Sequence, residues 1–197
     1  MKYPEFFNNI ETITLQDPLS NFLGSLDQGI VEFNYLDVVK SAGHSCPTVA
    51  GAYIMSLIGL KELYQDELPL RGGVKISFKE NSNEGVAGVI ANVVTQITGA
   101  TETFGFKGLN GNFARNNLMS FNDDINSSIK LTRLDNNQTV ELIYNPNVCP
   151  PSPKQNELMG KIMQQIATNE EKKEFGVLWQ QRVEDIFNNI DKVISVR

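Results

Sequence analysis

Cys46 and Pro47 stand at the head of a long apolar run, Val49 to Tyr64. That junction leaves the chain few ways to fold around it. Proline is favoured in the first turn of a helix, because its missing N–H would have no partner there. The run therefore predicts a helix from Pro47 to about Tyr64, with Cys46 as its N-cap. A thiol at that position faces the positive end of the helix dipole, which favours the thiolate. Two residues earlier lies His44, the only histidine in the chain, and Cys46 is one of only two cysteines. Thiolate and imidazole are the protein ligands preferred by soft and borderline metals. The segment Gly43-His44-Ser45-Cys46-Pro47 thus reads as half of a metal site or as a reactive thiol beside a histidine. The plain alternative is a small buried cysteine next to a satisfied loop histidine.

Composition narrows the function classes. A formal net charge of −6 with no cluster of Lys or Arg argues against a nucleic-acid surface. No run of eighteen apolar residues is present, so no spanning helix is expected. The N-terminus, Met1-Lys2-Tyr3-Pro4-Glu5, lacks the apolar core and small-residue cleavage site of a signal peptide. Two cysteines without an export signal predict reduced thiols in the cytoplasm. A Cys46–Cys149 disulfide is the weaker option.

The pattern along the chain predicts an α+β fold. Residues 1–28 read as a lead-in, with Ile10–Leu15 as a short edge strand and Leu19–Leu26 as a short helix opened by Asp17-Pro18. Ile30–Tyr35 alternates as a strand, with Val31, Phe33 and Tyr35 on one face. It leads through Leu36–Lys40 into the His44 loop. Ala50, Gly51 and Ala52 leave room for close approach, whether by a packed neighbour or by a ligand. Val74–Phe78 alternates as a strand. Val86, Val89, Ile90, Val93, Val94 and Ile97 form a helical stripe that Gly99 closes. The glycine-rich stretch Thr98–Gly111 has neither nucleotide-loop spacing nor a helix after it, which excludes a phosphate loop of those types. Lys107 and Arg115 are anion-binding candidates, although such charges are more often solvated. Three strands are expected at about Asn116–Phe121, Ile129–Leu134 and Val140–Tyr144. The last two are joined by the turn Asp135-Asn136-Asn137. A proline-rich exit at Asn145–Pro153 precedes a helical tail. Leu158, Ile162 and Ile166 mark one helix, and Thr168-Asn169-Glu170-Glu171 is a capping box. A stripe from Phe175 through Leu178, Trp179, Val183, Ile186, Phe187 and Ile190 to Ile194 predicts one final helix.

On these residues the chain resembles the FmdE-like family, whose name comes from formylmethanofuran dehydrogenase. The resemblance rests on Ala42-Gly43-His44-Ser45-Cys46-Pro47-Thr48-Val49-Ala50-Gly51-Ala52-Tyr53, set against the family's Gly-His-x-Cys-Pro hallmark. It rests also on Ile97-Thr98-Gly99-Ala100-Thr101, set against a Thr-Gly-Cys-Thr element, and on the tail from Leu158 to Val183. The resemblance implies a mixed sheet in the order helix, strand, helix, three strands, similar to the second domain of glyceraldehyde phosphate dehydrogenase, with a C-terminal helical hairpin. It divides the chain into an α+β domain at 1–150 and a helical extension at 151–197 packed on the same unit. It implies metal binding through His44 and Cys46. Cysteines that the family often carries elsewhere fall here on Val89 and Ala100, and no C-terminal Cys-x-x-Cys ribbon is present.

Ligand arithmetic shapes the expected site. One histidine and two cysteines supply at most three N/S ligands: His44, Cys46 and Cys149. A closed tetrahedral zinc site would need carboxylates, water or a second chain. An open transition-metal site, with zinc as the expected ion and a small molecule as its partner, is the leading reading. Glu84 and Glu102 are candidate acid/base or ligand groups. A thiol redox enzyme using Cys46, with Cys149 as resolving partner, is the second reading. A noncatalytic accessory protein that assembles with a larger partner is the third. The apolar final helix predicts a homodimer.

Overall fold

Helix α3 (Pro47–Tyr64) lies at the centre of the computed structural model, which describes residues 1–197. Fourteen of its eighteen residues are buried, and a helix apolar all round must be covered on every side. One side lies on a five-stranded sheet, and the others lie against helices α2 (Tyr35–Ala42), α4 (Ala87–Thr98) and α6 (Asn169–Phe187). Ile54, Met55 and Leu60 are almost fully excluded from water, which contributes about 1.5–3 kcal/mol each by area removed from solvent.

The sheet is mixed. β3 (Val74–Phe78) runs parallel to the short β4 (Met119–Ser120) and antiparallel to β5 (Ile129–Arg133). β5 pairs with β6 (Thr139–Tyr144), and β6 pairs with β7 (Ile194–Val196), giving the order β4-β3-β5-β6-β7. Ile76 lies opposite Leu131, and Leu131 opposite Val140. That register puts the apolar members of each strand on the α3 face. A separate two-stranded sheet joins β1 (Ile13–Gln16) to β2 (Ile30–Phe33), and α1 (Pro18–Leu23) lies between them in the chain. The expected order of helix, strand, helix and three strands is present as α3-β3-α4-β4-β5-β6.

The tail folds back onto this layer. α5 (Pro153–Met163) and α6 form the helical hairpin, with Thr168 capping α6 through the reciprocal box with Glu171. Val183 and Ile186 of α6 belong to the same hydrophobic core as α3 and the sheet. Phe7, Tyr35, Tyr53 and Phe187 form an edge-to-face aromatic cluster that ties the N-terminus, α2, α3 and α6 together. No helix is long and apolar enough to cross a membrane.

Several elements differ from the sequence expectation, each for a local reason. Tyr35 is not the end of a strand but the first residue of α2. Asn34 caps that helix in a reciprocal box with Asp37, and Gly43 ends it. The expected strand at Asn116–Phe121 shortens to two residues, because Asn117 and Asn122 on either side have φ of 58°. The final helix stops at Phe187. After it come α7 (Ile190–Val193) and strand β7, in which Ile194 and Val196 complete the edge of β6.

Candidate functional site

The His44 loop is the short link between the end of α2 and the start of α3. Gly43 turns the chain there at φ 79°, a left-handed conformation that L-residues with a Cβ resist. Its N–H closes α2 on Val39 O. Cys46 then caps α3 as expected, its Sγ accepting the Val49 N–H at 3.4 Å. Pro47 follows at the first helical position.

Four side chains from other parts of the chain hold this loop. Trp179 Nε1 and Gln180 Nε2 of α6 both donate to Ser45 O, at 2.9 and 3.2 Å. Tyr35 Oη lies 3.0 Å from Ser45 Oγ. Tyr144 at the end of β6 donates to Pro47 O at 2.6 Å. Burial pushes the Tyr35 hydroxyl far above its ordinary range, against the opposing hydrogen bond to Ser45. Burial does the same to Tyr144, against the opposing charge of Arg182. Both phenols therefore stay protonated near neutral pH and act as neutral clamps. Their partners on the loop lie 10 and 97 residues away in sequence, and those of Trp179 and Gln180 lie 134 and 135 away.

His44 is exposed, with Nδ1 3.0 Å from Ala42 O. A carbonyl only accepts, so in the neutral ring Nδ1 carries the proton and Nε2 keeps its lone pair. The ring lines a cleft of about 510 Å³ between the end of α2 and the face of α4 formed by Val89, Asn92, Val93 and Gln96. That volume is within the usual range for small-molecule sites. Val89, the position where the family often has a cysteine, is thus on the wall facing the His44 loop.

Cys46 is partly buried, and Cys149 is buried, with its thiol donating to Asp185 O at 3.6 Å. Burial raises the Cys149 pKa, and the nearby Asp185 adds to the shift. Both thiols are free. No group of three or more His, Cys, Asp or Glu side chains gathers as a metal cage. Ala100 is fully buried at the end of α4.

The other charged candidates resolve differently. Arg115 is buried and gives its guanidinium to Asp17 at 2.6 Å, so it is a core ion-pair partner and not an anion-binding surface residue. Asp17 also receives Arg71 at 3.0 Å while it caps α1. Lys107 is exposed. Glu84 is exposed and accepts from Asn81 N, closing a local turn. Glu102 accepts from Asn117 N through its backbone carbonyl.

A family model described as "FmdE, Molybdenum formylmethanofuran dehydrogenase operon" matches residues 42–195, from the end of α2 into β7. No curated protein matches the chain.

Proposed function

Starting from the fact that the chain belongs to the FmdE family, we propose that it is a metal-binding protein of the cytoplasm in which His44 and Cys46 hold one transition-metal ion. Zinc suits a donor set of one imidazole and one thiolate. The observation that carries this reading is the bond between His44 Nδ1 and Ala42 O. Metal-ligating histidines commonly anchor one ring nitrogen on a carbonyl in this way, which orients the other as donor. Support comes also from the position of Cys46, two residues on and partly exposed at the head of α3.

With two protein ligands the site is open, and Cys149, held against Asp185 O, is the third donor only after a rearrangement. When bound, the ion supplies Lewis-acid chemistry, lowering the pKa of a bound water or polarising a carbonyl. The protein's own residues position the loop through Tyr35, Tyr144, Trp179 and Gln180. They also present a cleft in which Asn92 and Gln96 can orient the polar groups of a small molecule.

Elemental analysis of protein purified without chelator tests it. Wild type is expected to carry stoichiometric metal, and His44→Ala and Cys46→Ser to lose most of it while remaining folded. Retention of stoichiometric metal by both variants would put the site elsewhere. Metal-free wild type that also fails to take up zinc or nickel would replace this reading with thiol chemistry at Cys46.

A further inference from the structure

One side of α6 is turned away from the core. Val183 and Ile186 bury its inner side. Lys173, Val177, Gln180 and Glu184 recur at intervals of four, three and four residues, so they share the outer side. Val177, in the middle of that face, is 69% exposed. The face is one wall of a groove of about 740 Å³, and Pro4, Glu5 and Phe6 form the other. This groove has no lining residue in common with the His44 cleft. Its charges are separated by sign along the helix. Lys173 lies in the N-terminal half of α6, and Glu184 lies near the C-terminal end, about three turns on. Neither residue forms an ion pair within its own chain.

We propose that this face docks on the same face of a second copy of the chain, α6 against α6, antiparallel about a two-fold axis. A two-fold contact is built from one patch used twice, so the patch must complement itself. Antiparallel pairing sets Lys173 of each copy against Glu184 of the other and brings Val177 onto Gln180 at the centre. Parallel pairing would set Lys173 against Lys173 and Glu184 against Glu184, a repulsive arrangement. The two helix dipoles also oppose each other in the antiparallel pair, which is the favourable sense. Glu5, the third charged residue of the groove, is left over in each copy, while Phe6 beside it adds apolar surface to the centre. Gln180 also donates to Ser45 O, so the contact is built on the helix that supports the His44 loop. It does not depend on that loop holding a metal.

The test is sedimentation equilibrium of the full chain over a range of concentrations, on wild type and four variants: Lys173→Glu, Glu184→Lys, the two combined, and Lys107→Glu. Wild type should dimerise at micromolar concentration, and high salt should weaken the dimer. Each single charge reversal on α6 creates two like-charge contacts in the pair and should weaken dimerisation by about tenfold or more. The combined variant restores opposite charges at both contacts and should recover most of the wild-type affinity. Lys107→Glu makes the same charge change on an exposed loop and should dimerise as wild type does, which separates a specific contact from an effect of net charge. Circular dichroism should show all four variants folded, because the substituted side chains lie outside the core. A monomeric wild type, single reversals that dimerise as wild type does, a combined variant as weak as the singles, or an equal loss in Lys107→Glu would each overturn the proposal.

Discussion

Replacing Gly51 with alanine puts two opposing effects in direct competition. In a helix interior this change normally stabilises by about 1 kcal/mol through backbone entropy. At Gly51 the structure reverses the sign. A Cβ there would meet three ring atoms of Tyr144, all within 2.6 Å, closer than real Cβ atoms approach anything. The ring has little freedom to retreat, because its hydroxyl is held on Pro47 O at 2.6 Å. Overpacking of this kind costs about 1–3 kcal/mol, and losing the hydrogen bond adds about 1 kcal/mol. The net expectation is a destabilisation of about 1–3 kcal/mol, despite the better helix former. Urea unfolding should show a lower midpoint with an unchanged slope. Gly176→Ala on α6, where nothing lies within 4 Å of the new Cβ, serves as the control and should stabilise by up to about 1 kcal/mol. In a Tyr144→Ala background the Gly51→Ala penalty should vanish. If Gly51→Ala stabilises the protein as much as Gly176→Ala does, Tyr144 is not the clamp on the α3 start described above.

Two further outcomes are expected. Asp17→Asn keeps an acceptor for the α1 cap but leaves Arg115 and Arg71 without their carboxylate, which should cost about 3–5 kcal/mol in denaturant unfolding. Burial works to raise the Asp17 pKa, but the bonds from Arg71 and Ser20 and the charges of Arg115 and Arg71 outweigh it and hold it low. Its contribution is therefore present above the unfolded carboxylate pKa of about 3.9 and is lost as pH falls through the lower folded value. The variant should flatten that acid limb, and an unchanged limb would count against the cluster. Homodimerisation, proposed from the apolar tail, has to use residues that its own core leaves free, such as Met163, Ile166 and Val177. Light scattering should then report a dimer that Val177→Asp dissociates, and a wild-type monomer at micromolar concentration would exclude it.

What was legible in the sequence depended on short-range chemistry. Cys46-Pro47 announced the start of α3, Thr168 with Glu171 announced α6, and Gly99 marked the end of α4, because a cap is built from residues within four positions of each other. The same kind of signal, Asn34 with Asp37 and then Gly43, marked α2. The alternation of Val31, Phe33 and Tyr35 concealed it, since the buried face of a strand and the first turn of a helix can begin with the same apolar residue. His44 and Cys46 could be read together as candidates because one loop carries both.

The supports of that loop were not visible. Tyr144, Trp179 and Gln180 have no pattern that distinguishes them from other half-buried residues, and they reach the loop only when β6 and α6 pack on α3. Arg115 looked like a surface charge until the fold set Asp17 against it, 98 residues away. Ile194 continued a helical stripe by spacing alone, yet the unpaired edge of β6 drew it into a strand. Most helix ends, and the loop that carries the histidine and the cysteine, depend on neighbours along the chain, so the order of residues was enough to place them. The side chains that hold that loop, the charges that are buried and the clefts that stay open depend on partners chosen by packing, and they came into view only once the helices and the sheet were assembled around α3.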